Sequence, residues 1–260
     1  MQTDKWSCVN NSGMKIIPLS EGQFTVDGSK SFVPFDPAGD QLTQRPAGSL
    51  LVEIQPFVII TNRDIILLDT GLGYVKSGEL QLHHNLKKAG VDPSSVTKVI
   101  LSHLHKDHMG GVVVKEEGGL LHAAFPSATY YIQRSEIEFA LSSSSASFVQ
   151  PVLEWLAASA QVHWLQGDGM IDNYIEVQMT GGHSPYHQSI KITTEDEIVF
   201  FGGDEAPQLQ QMKHRFVAKY DYDGKRAMEL RNQWKEKGTQ EGWNFLFYHD
   251  VKHPVFNFKS

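Results

Sequence analysis

The sequence predicts a mixed α/β protein in which helices pack outside a sheet-rich core. Three observations lead there. Consecutive apolar runs such as Ile65-Ile66-Leu67-Leu68 mark strands covered on both faces, since a strand with one wet face would alternate. Segments of helical period fall between strand candidates, several of which follow one another directly. The composition, 260 residues with 40% hydrophobic and 20% charged, is that of a chain that buries a core rather than one that stays disordered.

Along the chain, Leu50–Ile60 is rich in β-branched and aromatic residues and predicts one strand, with Pro56 marking an edge or a bulge. Asn62-Arg63 predicts the turn into a buried strand over Asp64–Asp69. Glu79–Ala89 sets Leu82 and Leu86 one turn apart and stops at Gly90, as a helix with a glycine C-cap does. Val96–Leu101 predicts another buried strand. Further strands are expected over Thr129–Gln133, Gln161–Leu165, Tyr174–Thr180, Ser189–Thr194, Ile198–Phe201 and Asn244–Tyr248, and helices over Arg134–Leu141, Val152–Ala158 and Gly224–Lys237. In the last helix, Met228 and Trp234 suit core or pocket wall better than a cofactor box. Residues 27–49 differ in texture: Pro34, Pro37, Pro46, Gly39 and Gly48 surround Phe32 and Phe35. A loop of that length without structure of its own is often functional, so the segment is a candidate substrate-covering lid, with Trp6 as a third apolar residue; a plain surface excursion fits it equally well. Nothing resembles an interdomain linker or a repeat, so residues 1–260 are expected to form a single domain.

The charge balance, 23 Lys+Arg against 30 Asp+Glu for a net −7, argues against nucleic acid, whose phosphates need clustered cations. Cys8 is the only cysteine, so neither an intrachain disulfide nor a thiolate metal cluster can form. The N-terminus lacks an apolar signal region and no apolar run approaches the ~18 residues that span a bilayer, so a soluble, cytoplasmic protein without a membrane partner is expected.

His103-Leu-His105-Lys-Asp107-His108 stands directly after the Val96–Leu101 strand. Three imidazoles and a carboxylate at a strand end form a nitrogen and oxygen donor cluster suited to zinc and related divalent ions. His103 and His105 share one side of an extended segment, and Gly110-Gly111 leaves room for the turn that aims Asp107 and His108 at a second position. Further donors must come from elsewhere, and His183, Asp204 and His249 each stand where a predicted strand gives way to a loop. The other histidines suit ordinary roles: His83 and His84 on the solvent face of their helix, His122, His163, His214 and His253 structural or exposed. His187 is either structural or a hydrogen-bond partner behind the donors.

The order Leu-Leu-Asp69-Thr-Gly, then His-x-His-x-Asp-His, Gly-His183-Ser-Pro, Gly-Asp204 and His249 resembles the metallo-β-lactamase-fold hydrolases over most of the chain. The resemblance implies an αβ/βα four-layer sandwich and a dinuclear site holding two divalent ions, zinc first, with manganese, iron or cobalt as alternatives. By that resemblance His103, His105 and His183 would hold one ion, Asp107, His108 and His249 the other, and Asp204 would bridge them, while Asp69 orients a ligand imidazole. A metal-bridging hydroxide would be the nucleophile, with Asp107 orienting it and passing its proton to the leaving group. The bridging position holds no cysteine, which counts against β-lactam hydrolysis. Within the superfamily the chain is similar to the N-acyl-homoserine lactonase and methyl parathion hydrolase branch, which implies a small-molecule lactone or ester substrate, with phosphotriesters and aryl esters as the alternative, and leaves a homodimer open. Some lactonases of that branch carry a tyrosine three residues after the bridging aspartate; here Pro207 stands there, and Tyr220 and Tyr222 are the candidates to replace it. Iron-dependent oxidoreductase and RNase chemistries share the scaffold, but a flavin domain does not fit in this length and the charge balance is wrong for RNA.

Overall fold

The computed structural model describes residues 13–259; Trp6 and Cys8 lie outside them. Two six-stranded sheets lie face to face. In spatial order the first contains Lys15–Pro18, Phe57–Ile60, Ile65–Leu68, Lys98–Ile100, Thr129–Gln133 and Val162–Leu165. The second contains Gly169–Ile171, Ile175–Met179, Gln188–Thr193, Ile198–Phe201, Asn244–Leu246 and Val255–Asn257.

Period-two alternation divides each central strand between two cores, which is why its residues are apolar without interruption. Val58, Leu67 and Val99 face an outer layer made by the helices Gln81–Lys88, Arg134–Ser142 and Gln150–Ala158. Their neighbours Phe57, Ile59, Ile66, Leu68 and Ile100 turn inward and meet Ile175, Val177, Ile190, Ile192, Val199 and Phe201 of the second sheet. On the far side, Phe200 and Phe245 pack against Trp234 of the helix Gly224–Glu241 and against Leu209 and Met212. The layers therefore run helix, sheet, sheet, helix, the four-layer sandwich that the resemblance implies. At about 1.5–3 kcal/mol per fully buried aliphatic or aromatic side chain, these three apolar layers are the main favourable term of the fold.

The stretch Leu50–Ile60 is two strands rather than one. Leu50–Ile54 pairs with Gly22–Val26, whereas Phe57–Ile60 joins the first six-stranded sheet. The break falls at Gln55-Pro56, where proline has no N–H for a ladder and its carbonyl accepts from Leu19 N at 2.7 Å. The segment 27–49 is likewise not structureless: Phe32–Phe35 pairs antiparallel with Gly22–Val26 and completes a three-stranded sheet, with Pro34 tolerated because the strand is an edge. The helix expected to end at Lys237 continues to Glu241 and stops at Gly242, whose φ of 75° supplies the left-handed C-cap. His83 is not on a solvent face; it is half-buried, its Nε2 2.9 Å from the Ala124 carbonyl and its ring against Phe125. Among the described residues no helix is long and apolar enough to cross a membrane.

Candidate metal centre

Ile65–Leu68 and Lys98–Ile100 run parallel in one sheet, and Ile198–Phe201 and Asn244–Leu246 run parallel in the other. Their C-terminal ends open at one edge of the sandwich, where the following loops carry Asp69, His103, Asp204 and His249. The loop after Ile175–Met179 adds His183, and a one-turn helix, Lys106–Met109, presents Asp107 and His108. That turn packs so closely on the Asp69–Gly73 loop that a Cβ on Gly111 would lie 2.2 Å from the Thr70 carbonyl oxygen, so only glycine fits there.

The seven side chains singled out from the sequence converge. His103 Nε2 lies 2.9 Å from His105 Nδ1, which lies 3.1 Å from His183 Nε2. Asp107 Oδ2 lies 3.6 Å from His108 Nε2 and 3.5 Å from His249 Nε2. Asp204 stands between the two groups: Oδ1 is 3.3 Å from His108 Nε2 and 3.1 Å from His249 Nε2, and Oδ2 is 3.3 Å from His183 Nε2.

Each of four imidazoles is turned by a partner on its far nitrogen. His108 Nδ1 donates to Asp69 Oδ2 at 2.7 Å, His183 Nδ1 to Asp221 Oδ1 at 2.9 Å, His249 Nδ1 to the Glu53 carbonyl at 2.8 Å, and His103 Nδ1 to Ser102 Oγ at 3.1 Å. With the proton fixed on Nδ1, every Nε2 aims its lone pair into the shared space. Asp69 is itself held by Ser102 N and Oγ, both at 2.7 Å. Tyr248 stacks on the His108 ring at 4.1 Å and donates to the Asp107 carbonyl.

Electrostatics divide the donors. Burial, reinforced by neighbouring imidazoles, holds His103 and His105 well below the usual histidine range. Burial also opposes charge on His108, His183 and His249, but Asp204 beside them outweighs it and pushes all three up. Those three imidazoles in turn hold the buried Asp204 carboxyl well below its usual range. The carboxylates thus demand positive charge. His108 Nε2 and Asp204 Oδ1 are buried and make no hydrogen bond, although they lie 3.3 Å apart. A buried polar atom without a partner costs about 1–3 kcal/mol, and two such atoms in a ring of nitrogen and oxygen donors without thiolates fit divalent ions of the zinc type.

The family model of the metallo-beta-lactamase superfamily matches residues 53–243. The chain belongs to the metallo-beta-lactamase superfamily. It is 25% identical over 231 residues to an N-acyl homoserine lactonase from Bacillus cereus, covering 81% of this chain and 86% of the relative. Its fold is similar to that of a probable metal-dependent hydrolase from Staphylococcus aureus, with a TM-score of 0.74, 19% identity and 95% and 93% of the two chains covered. It is also similar to AidC, a dizinc quorum-quenching lactonase in complex with a product, with a TM-score of 0.71, 20% identity and 94% and 90% covered.

Several residues that hold this superfamily centre carry no signal of their own in the sequence. Glu205 is buried and accepts from Thr180 Oγ1, Gly182 N and His183 N at 2.6–3.0 Å, which fixes the loop bearing His183. Asp221, which turns His183, comes from a distant loop. His187 is a hydrogen-bond partner behind the donors: its Nε2 accepts from Asp204 N at 3.2 Å and its Nδ1 donates to Thr180 Oγ1 at 2.8 Å, and burial holds it well below the usual range, hence neutral. His84, His122, His163, His214 and His253 are exposed.

A cavity of about 710 Å³ opens onto the donors. Phe32 and Pro207 line it, and so does Tyr220, whose ring centre is 6.1 Å from that of His183. Phe35 instead lines a separate depression with Phe24 and Tyr74, and Tyr222 is 71% exposed and off the cavity.

Proposed function

We propose that the protein is a metal-dependent hydrolase that opens a lactone or a related ester, with N-acyl-homoserine lactone-like substrates favoured. His103, His105 and His183 would hold one divalent ion and Asp107, His108 and His249 a second, with Asp204 placed between the two sets to serve both. The observation that supports this most directly is the convergence of seven donors from four chain segments around two buried atoms, His108 Nε2 and Asp204 Oδ1, that have no hydrogen-bond partner. Two divalent ions there would supply Lewis acidity toward the substrate carbonyl and lower the pKa of a water between them toward neutrality.

The chain's own groups do the rest. Asp107 lines the cavity and commits Oδ2 to the donor cluster, so Oδ1 is free to accept a proton from the attacking water and return it to the leaving oxygen. Tyr220 takes the place of the lactonase tyrosine that Pro207 cannot supply. Loss of solvent pushes its hydroxyl up to about 12, so it keeps its proton at neutral pH and can donate to the carbonyl or leaving oxygen. Asp69, Asp221 and the Glu53 carbonyl keep three imidazoles aimed without touching substrate. Pro207 on the cavity wall favours a second reading, hydrolysis of aryl esters or phosphotriesters, in which no tyrosine three residues past Asp204 is called for.

Purified protein loaded with zinc or manganese, assayed against lactones, aryl esters and phosphotriesters, tests the proposal. Turnover of lactones that is abolished by chelation and restored by metal supports it. Metal-loaded protein inert toward all three classes contradicts it.

A further inference from the structure

We infer that the substrate opened at this centre is an anion, an ester or lactone whose apolar body carries a carboxylate, recognised by Lys30, Lys106 and Lys219. The inference rests on the hydrolase reading above and narrows its substrate class.

The cavity over the donors has two kinds of wall. Val26, Phe32, Leu50 and Phe216 offer apolar surface to a chain or ring. Lys30, Lys106 and Lys219 line it as well, and none of them forms an ion pair with an acidic residue among the described residues. Apart from the donors Asp107 and Asp204, the carboxylate on the wall is Asp27, and it is already engaged by Ser29 N at 2.9 Å and Ser29 Oγ at 2.6 Å. A chain of net charge −7 thus concentrates unpaired cations at one opening.

Lys30 is held there against its backbone preference. Its φ is 60°, in the left-handed region, and its N–H closes a turn onto the Asp27 carbonyl at 3.0 Å. Residues that carry a side chain, asparagine and aspartate apart, are strained in that region, and such an outlier at a ligand cavity points to a role for its side chain. The residue is half-buried on the cavity wall that His105 also lines. Lys106 lies between the donors His105 and Asp107 in sequence, half-buried, with its ammonium 6.0 Å from the centre of the Phe32 ring. A neutral ligand settling against these walls would strip water from the half-buried Lys30 and Lys106 and give nothing back, whereas a carboxylate replaces that water with opposite charge, with the exposed Lys219 at the rim adding to the attraction. A cleft of one sign between low-dielectric walls also raises the local concentration of anions.

The test is a matched pair of lactones with acyl chains of equal length, one ending in a carboxylate and the other in a primary amide. Their kcat/KM ratio is measured at about 20 mM and about 500 mM salt. The same pair as non-hydrolysable lactams is measured by calorimetry on the metal-loaded protein. The expected result is a preference for the carboxylate of about tenfold at low salt, in turnover and in lactam affinity, which shrinks toward one at high salt and in the Lys30→Gly, Lys219→Ala double variant. Glycine suits a φ of 60°, and a melting temperature no lower than the parent's confirms that the variant is folded. If both lactones are opened with a ratio near one at low salt, the inference is overturned while the hydrolase reading stands. If neither is opened and neither lactam binds, the inference is overturned, and the hydrolase reading falls with it when aryl esters and phosphotriesters are inert as well.

Discussion

Replacing Asp69 by asparagine isolates the role of a carboxylate that touches no substrate. Asp69 is fully buried and accepts three hydrogen bonds at 2.7 Å, from Ser102 N, Ser102 Oγ and His108 Nδ1. Its φ is 56°, which asparagine adopts as readily as aspartate, so Asp69→Asn leaves the backbone unstrained. The amide oxygen can keep Ser102 N, and the Ser102 hydroxyl can rotate to accept from the amide nitrogen. His108 has no such freedom: opposite an N–H donor, its Nδ1 must give up the proton and Nε2 must carry it. Nε2 is the atom aimed at Asp107 and Asp204. Loss of an orienting partner of this kind lowers metal affinity about 10- to 100-fold, or roughly 1.4–2.7 kcal/mol. Loss of one hydrogen bond to a charged group costs the fold about 1.5–3 kcal/mol, offset in part because burial pushes the Asp69 carboxyl up and a neutral amide avoids that cost. Chelator competition on parent and variant measures the affinity, and denaturant unfolding the stability. A variant that holds both ions as tightly as the parent would refute the claim that Asp69 sets the His108 tautomer.

Asp107→Asn is expected to retain at least one ion while kcat falls about 100-fold or more, because Oδ1 no longer accepts a proton; elemental analysis beside steady-state rates checks it, and full turnover in a doubly loaded variant rules the proton role out. Tyr220→Phe is expected to lower kcat about tenfold or more with metal content unchanged; equal rates would leave the carbonyl to the ions alone. Glu21 gives a pH signature in the fold: it accepts from Leu72 N at 2.7 Å beside the Asp69 loop, and burial pushes its carboxyl from 4.5 to about 7. Between those values the native state binds more protons than the unfolded chain, so this group's contribution to stability is largest in acid and falls as pH rises, by about 3 kcal/mol at pH 8. Glu21→Gln is expected to remove that fall in unfolding titrations at pH 5 and pH 8; an unchanged difference between the two would assign it to other groups.

The parts of the molecule legible in the sequence are those written in local pattern. Strands buried on both faces, such as Ile65–Leu68 and Ile198–Phe201, appear as unbroken apolar runs because both neighbours of each residue face a core. The run His103–His108 is visible because its donors are contiguous, and His183, Asp204 and His249 because each follows a strand. The three-stranded sheet over residues 22–54 was obscured by its prolines and glycines, and the split at Pro56 by apolar residues on both sides of it. Asp221 and Glu205 left no mark, since a residue that orients a histidine 38 or 22 positions away has no fixed spacing from it. Helix boundaries missed by a turn, as at Glu241, where Gly238 stays helical because it packs on Phe245 and Gly242 does the stopping.

Anomalous diffraction at the absorption edge of the bound metal tests the central claim most directly. The expected map holds two peaks per chain, one among His103, His105 and His183 and one among Asp107, His108 and His249, with the Asp204 carboxylate between them. A single peak, or metal held away from His108 Nε2 and Asp204 Oδ1, would contradict it.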